Sequence, residues 1–481
     1  MHKRRYDIFI RTLIFIFILL ISSIQAVELE KVSRIQPAGL LILRASLAGS
    51  NSAVKWEISA YTLDENTGAR ADQGVISLAY RDSVRILLVK TANKYTFYKV
   101  IVTEDNNKDS VEFQVFNKGA AEKYLFQNPI IQSKPIPVYI ILPSKYSSES
   151  KFLMSMHGTN RNADDYANIW KSFGSANNYI ITAPEFSSSL WSSSSYILGN
   201  MFTGSNGAGS LNPKEYWTFY LVQLIHKELA EMCGLSDSTY TIWGHSAGAQ
   251  FVHRMALFCP DNLISRYISA NAGWYTVPDL EVIYPWGVKH ALLTNITSGY
   301  LYEFTTSNLV IMRGTADTLR DSNLNTDPLS DAQGRNRFER AGYYYNKALE
   351  INPSLTWPFI DVLNVGHDDA KMALAAGEFI LSSVTSVAEK GNEIIDGSGI
   401  SSYPNPFNAS TQIVFSVSKA SHVLVAVYNA IGEKVITLTN EFMNPGKYIR
   451  SFNAGNLSSG VYFCTLTNGG TVKTAKILLL K

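Results

Sequence analysis

Apolar positions change their rhythm three times along this chain. The first apolar run, Leu13 to Ile21, follows a cationic head of His2, Lys3, Arg4 and Arg5 and closes with Ser22, Ser23, Ile24, Gln25 and Ala26. A charged head, a short apolar stretch and small closing residues predict an export signal over 1–26, cleaved after Ala26. The rival reading, a membrane anchor, needs about 20 apolar residues to cross a hydrocarbon core, more than this run offers. Residues 27–118 then read as strands, in runs such as Ala53–Tyr61, Val84–Val89, Tyr95–Val102 and Ser110–Phe116, separated by turn clusters at Asp64–Gly68 and Glu104–Lys108. A small β-sandwich of immunoglobulin type is expected there. It holds no His, no Cys and no convergent polar cluster, so no chemistry is assigned to it.

From 119 to 385 strands alternate with helices. Apolar strand segments are expected at Val138–Leu142, Phe152–Met156, Tyr179–Ala183, Tyr240–Trp243, Tyr267–Ala270, Leu309–Met312 and Phe359–Val365. The clearest amphipathic helix is expected to open at Asn212, Pro213 and Glu215, with Trp217, Tyr220, Leu221, Leu224 and Ile225 on one face. Strands buried on both faces and linked by helices imply an α/β fold, a central, mostly parallel sheet flanked by helices. Such sheets carry their sites at the carboxyl ends of the strands. Residues 386–400 read as a polar, glycine-bearing linker, and 401–481 returns to strands with turns at 429–432, 444–446 and 468–470.

Composition narrows the function classes. A chain of 481 residues holds two or three domains, and 46% hydrophobic with 17% charged residues is a globular balance. The 42 Lys+Arg against 40 Asp+Glu leave a net charge of +2 and no basic stripe, so no nucleic-acid partner is expected. No His, Cys or carboxylate cluster has metal-ligand spacing, so neither metal nor cofactor is expected. Cys233 and Cys259 flank one strand and helix; they are either bridged, as an oxidising compartment permits, or two buried thiols. Cys464 is expected to be a buried small hydrophobe.

Three strand ends carry the chemistry. Trp243-Gly244-His245-Ser246-Ala247-Gly248 lies between the strand Tyr240–Trp243 and a helix over Ala247–Phe258. This is G-x-S-x-G in its strand, turn, helix setting, a nucleophile elbow whose glycines allow the tight turn. Met312-Arg313-Gly314-Thr315-Ala316-Asp317 runs a strand into a glycine turn ending in a carboxylate, and Val365-Gly366-His367-Asp368 places an imidazole just beyond the last apolar strand. Ser246, Asp317 and His367 then supply nucleophile, orienting acid and general base. Asp321 and Asp361 compete for the acid's role, but Asp317 alone follows the strand-plus-glycine turn. His226 and His253 lie within helices, and His290 and His422 have no strand-end setting.

These motifs, in this order, resemble the α/β-hydrolase superfamily over about 125–385, most closely secreted feruloyl esterases and polyhydroxybutyrate depolymerases. In that fold the loop after the strand Phe152–Met156, here His157-Gly158-Thr159-Asn160-Arg161, and the residue after the nucleophile supply the oxyanion amides. The resemblance therefore implies the backbone N–H groups of Thr159 and Ala247 as the oxyanion hole, with His157 bracing the loop. Ala249 stands where these families commonly carry a second glycine, and Leu319 to Arg335 is a polar insertion expected to fold over the site. Trp191, Tyr196, Trp274, Tyr275 and Trp286 are candidate lining for an aryl or polymer cleft, with Trp191, Trp274 and Tyr275 as the substrate-binding assignments.

The last 80 residues or so resemble a sorting domain of the Bacteroidetes type IX secretion system. The motifs are Tyr403-Pro404-Asn405-Pro406-Phe407, Tyr428-Asn429-Ala430-Ile431-Gly432-Glu433-Lys434, Leu457-Ser458-Ser459-Gly460-Val461-Tyr462 and Lys476-Ile477-Leu478. The alternative is a second β-sandwich that binds carbohydrate or polymer. Together the resemblances imply a secreted or surface-held serine hydrolase cleaving carboxylic esters through an acyl-enzyme, handled by the type IX machinery. The rivals are a serine peptidase on the same fold and a non-catalytic surface protein.

Overall fold

The computed structural model describes residues 28–479 except 48–53, 66, 80–81, 132, 389–398, 404, 406, 408–409, 418 and 445. The expected export signal, 1–26, and most of the expected linker lie outside the described residues. The described chain forms two compact units. The described residues up to Glu122, with Ser147–Glu149 and Glu228–Ser236, make the first; Lys123–Tyr146, Ser150–Lys227 and the described residues from Asp237 onward make the second.

The first unit is built from strands β1 (Glu28–Leu29), β2 (Ile35–Pro37), β3 (Gly39–Ser46), β4 (Val54–Asp64), β5 (Arg70–Ala79), β6 (Ser83–Leu88), β7 (Lys94–Glu104) and β8 (Asn107–Phe116). They form a three-stranded sheet, β1-β3-β6, and a five-stranded sheet, β2-β8-β7-β4-β5. Along β4, Val54, Trp56 and Ile58 turn inward while Lys55 faces solvent, the two-residue alternation that a half-buried strand requires. These side chains share one apolar cluster with Leu43, Val84, Val100, Val102 and Phe113. The four strand runs expected from sequence are β4, β6, β7 and β8. Strand β5 escaped the pattern because its side chains are almost all exposed; it exists by pairing with β4.

The second unit contains β9 (Glu122–Phe126, with Glu122 at its edge assigned to the first unit), β10 (Ile136–Ile141), β11 (Lys151–Met156), β12 (Tyr179–Pro184), β13 (Tyr240–His245), β14 (Ile264–Ala270), β15 (Leu309–Gly314) and β16 (Phe359–Val362). Their spatial order is β9-β10-β12-β11-β13-β14-β15-β16. Pairing is parallel from β12 through β11 to β16, and β10 runs antiparallel to β12. This mixed sheet with helices between its strands fits the α/β-hydrolase architecture. Strands β12, β13 and β16 are buried at every position, which is why they read as unbroken apolar runs.

Among the boundaries that differ from the sequence expectation, two have a clear local cause. The helix expected from Asn212 begins at Thr218 and runs to Cys233, preceded by a single 3-10 turn at Lys214–Tyr216. Asn212 is already committed to the preceding loop: its Nδ2 donates to Asn200 O and its carbonyl accepts from Trp217 Nε1. It therefore caps nothing. Strand β16 ends at Val362 rather than Val365 because Asn364 turns the chain with a left-handed φ of 58°.

The C-terminal strands are β17 (Ile400–Tyr403), β18 (Ser410–Val417), β19 (Ser421–Asn429), β20 (Lys434–Met443), β21 (Gly446–Asn453), β22 (Gly460–Asn468) and β23 (Thr471–Leu479). Four of them form the sheet β20-β19-β22-β23. The others extend the central sheet, with β21 lying parallel to β16 at Phe359–Tyr448, Ile360–Ile449 and Asp361–Arg450. Cys233, Cys259 and Cys464 are buried and none is in a disulfide. Among the described residues no helix is long and apolar enough to cross a membrane.

Candidate active site

Ser246 stands between β13 and the helix Ala247–Phe258, at φ 58° and ψ −116°. That strained backbone projects the hydroxyl away from the sheet and costs of order 1–3 kcal/mol, so it persists only where neighbours enforce it. The neighbours are close. A methyl group at Gly248 would sit 2.0 Å from Met156 O, and one at Gly244 would sit 2.3 Å from the Gly248 carbonyl carbon. Both elbow glycines are thus demanded by backbone approach. The expected helix bounds are those observed.

His367 Nε2 lies 3.0 Å from Ser246 Oγ, and His367 Nδ1 lies 2.8 Å from Asp317 Oδ2. The three expected residues therefore meet at one rim of the sheet, in hydrogen-bond series. Asp317 is buried and His367 a quarter exposed, so the imidazole borders solvent while its carboxylate partner does not. The loops that carry them are laced together: Thr315 N donates to Val362 O, Ala316 N to Val365 O, and Asn364 N to Thr315 Oγ1. The rival carboxylates do not meet His367 in a hydrogen bond but are engaged by arginines. Asp361 pairs with Arg313 at 2.6 Å and Arg450 at 3.3 Å, and Asp321 pairs with Arg337.

The oxyanion candidates flank the serine. Ala247 is buried at the first helical position and Thr159 is exposed on the loop after β11. Gly158 packs against Ser246: a methyl group there would lie 3.9 Å from Ser246 Cβ and 2.8 Å from Tyr166 Oη. His157 braces this loop. Its Nε2 accepts from Phe186 N at 3.1 Å and its Nδ1–H donates to Gly158 O at 3.0 Å, while Tyr196 Oη donates to His157 O at 2.7 Å. Burial pushes the His157 imidazole down to about 3, so it stays neutral.

Four contributors were not singled out from sequence. Asn271, at φ 52° just past β14, accepts from Gly314 N at 2.7 Å and donates to Gly366 O at 3.1 Å. One side chain thus ties the turn before Asp317 to the loop carrying His367. His245 lies with its ring 4.5 Å from that of His367; burial first, then the nearby His367 and Arg337, hold it well below the usual imidazole range. Tyr166 Oη lies 3.3 Å from His245 Nδ1. Arg337 is buried against Asp317 Oδ1 at 3.5 Å. The available signal was only a polar residue at a buried strand end, as in Ala270-Asn271-Ala272.

The aromatic candidates lie inside. Trp191, Trp274 and Tyr275 are 2%, 5% and 0% exposed, positions from which a ring meets a ligand only if its neighbours shift. Trp274 packs on Trp286 with Arg254 over its face, and Tyr275 stacks on Tyr344. The insertion after Asp317 docks beside them: Gln333 exchanges two hydrogen bonds with the Tyr275 backbone and Trp286 Nε1 donates to Ser330 Oγ. Among the described residues no group of three or more His, Cys, Asp or Glu is placed to hold a metal ion.

Sheet order, elbow and strand-end residues define the α/β-hydrolase class. Among solved structures the chain is similar to poly(aspartic acid) hydrolase-1 from Sphingomonas sp. KT-1, with 32% identity and a TM-score of 0.51, over 55% of this chain and 99% of that one. It is also similar to LpqC, a poly(3-hydroxybutyrate) depolymerase from Bordetella parapertussis, with 26% identity and a TM-score of 0.51, over 55% of this chain and 92% of that one. Residues 401–480 match the secretion system C-terminal sorting domain family. No curated protein matches the chain. The chain belongs to the α/β-hydrolase family that includes these enzymes and carries a type IX sorting domain, which directs it to the cell surface or the extracellular space.

Proposed function

We propose that this protein is a serine hydrolase that cleaves carboxylic esters outside the cell through an acyl-enzyme on Ser246. The observation that carries the reading is the unbroken series Ser246 Oγ, His367 Nε2, His367 Nδ1, Asp317 Oδ2, at 3.0 and 2.8 Å. In the first half-reaction Ser246 Oγ attacks the ester carbonyl as its proton passes to His367 Nε2. The tetrahedral oxyanion is held by the Thr159 and Ala247 amides, a donor pair of the kind in which each member contributes about 3 kcal/mol. The imidazolium then protonates the departing alkoxide, and the alcohol leaves. In the second half-reaction His367 takes a proton from water, whose oxygen attacks the acyl carbon; return of the proton to Ser246 Oγ releases the acid. Asp317 fixes the tautomer and stabilises the imidazolium throughout.

The substrate class we assign is an ester-linked polymer or an ester-decorated polysaccharide, in keeping with export to the surface and with a relative named as a polyester depolymerase. One observation favours a second reading, amide cleavage: the relative of 32% identity is named for poly(aspartic acid), whose units are joined by amide bonds. Hydrolysis of short-chain nitrophenyl esters and of peptide anilides by wild type and Ser246→Ala separates the readings. We expect ester turnover by wild type and a fall in kcat of about 10⁵–10⁶-fold in Ser246→Ala with KM little changed. Equal turnover by both proteins removes the serine mechanism; turnover of anilides alone promotes the amide reading. Polyesters, feruloylated sugars and acetylated glycans then rank the substrates.

A further inference from the structure

Arg337 is a buried cation in a place that does not favour one. It is the first residue of the helix Arg337–Ile351, where the helix dipole disfavours positive charge, and its side chain is 1% exposed. Its Nε–H has no acceptor among the described residues. A guanidinium so placed is tolerable only against carboxylates, and it has two. Asp317 Oδ1 stands at 3.5 Å, while Asp321 takes the fork from both sides, Oδ2 at 2.7 Å from Nη1 and Oδ1 at 3.0 Å from Nη2.

The contact lengths decide how the cation is shared. Were Asp317 its sole counter-charge, the guanidinium would draw on the same carboxylate that the His367 imidazolium needs. We propose that Asp321, acting through Arg337, is a positioning residue for the hydrolysis, leaving the field of Asp317 free for His367 by taking up the buried guanidinium. With both carboxylates the cluster of Asp317, Asp321 and Arg337 carries one net negative charge, and the imidazolium formed during acyl transfer brings it to zero. Without Asp321 the same step would leave an uncompensated positive charge beside a buried guanidinium.

The other groups facing His367 do not perform this task. His245 is neutral, Tyr166 stands behind it, and Asp368 on His367's own loop is paired with Lys371 at 2.8 Å. Asp321 is held down to about 2 by its hydrogen bond to Arg337, so it stays ionised wherever the enzyme is assayed. It also sits on the insertion that follows Asp317, and the proposal therefore makes that segment part of the active site's electrostatics. The inference rests on the serine-triad reading above.

The test is Asp321→Asn, an isosteric change at a side chain about one-third exposed. We expect kcat on a nitrophenyl ester to fall about three- to tenfold with KM within twofold, and the acid limb of the kcat/KM profile to move to lower pH. Asp321→Glu should recover both. Arg337→Met, which removes the positive charge, should move the acid limb the other way; if it fails to fold, the Asn and Glu variants decide alone. An unshifted acid limb in a folded Asp321→Asn enzyme overturns the proposal, whatever happens to kcat, and leaves Asp321 as an anchor of the insertion. Hydrolysis that survives Ser246→Ala overturns the triad reading and this one with it. An inactive Ser246→Ala beside an unshifted Asp321→Asn overturns this one alone.

Discussion

A methyl group added at Gly314 would sit 2.3 Å from Val365 O, closer than any relaxed contact, because the turn leading to Asp317 and the loop carrying His367 cross there. Gly314→Ala should therefore spread the two loops, lowering stability by about 1–3 kcal/mol as overpacking does, and reducing kcat more than KM. Thermal unfolding and steady-state kinetics on one preparation check both effects. Asn271→Ala tests the same junction from the other side. It leaves the buried Gly314 N–H and the Gly366 carbonyl without their partner, at about 1–3 kcal/mol for each group left unmet. A stability loss with unchanged kcat would show that Asn271 supports the fold without ordering the site. The sequence made Ser246, Asp317 and His367 legible because each follows a strand at a turn. Asn271 and Arg337 stayed hidden because their partners lie 43 and 20 residues away, with no short motif joining them.

At the level of elements, the strands that place the site were legible because they are buried on both faces and read as apolar runs. The helix after Ser246 was legible because the elbow motif marks its first residue. Strand β5 gave no signal, since nearly every side chain on it is exposed, and the helix at Thr218 was misjudged because Asn212 is held by tertiary hydrogen bonds. Strand β21 was recognisable as a strand, but its partner was not. Arg450, 5% exposed, bridges Asp361 of β16 and Glu441 of β20, at 3.3 and 3.1 Å. Arg450→Met leaves Asp361 with Arg313 as its remaining ion-pair partner among the described residues. A loss of about 1–3 kcal/mol is expected in chemical denaturation, with ester turnover at the unperturbed site retained.

The whole molecule carries histidines that folding keeps neutral. Burial lowers His157 to about 3 and His226 to about 4, against about 6.5 in an unfolded chain. Below that unfolded value the unfolded state binds protons the native state refuses, so the stability they contribute, complete above about pH 6.5, is lost as pH falls toward 4. Each contributes a slope of up to about 1.4 kcal/mol per pH unit across that window. Urea unfolding at pH 7, 6, 5 and 4.5 should show this decline, and His226→Gln should flatten it. A pH-independent midpoint over that range would contradict the burial argument.

The central claim is that Ser246 is the nucleophile, and covalent trapping tests it most directly. Treatment with a fluorophosphonate, followed by intact mass and peptide mapping, should show one adduct per chain, on the peptide containing Ser246. The adduct should be absent in Ser246→Ala and should form far more slowly in His367→Ala. An adduct mapped to another residue, or full ester turnover by protein that takes up no label, would contradict the account.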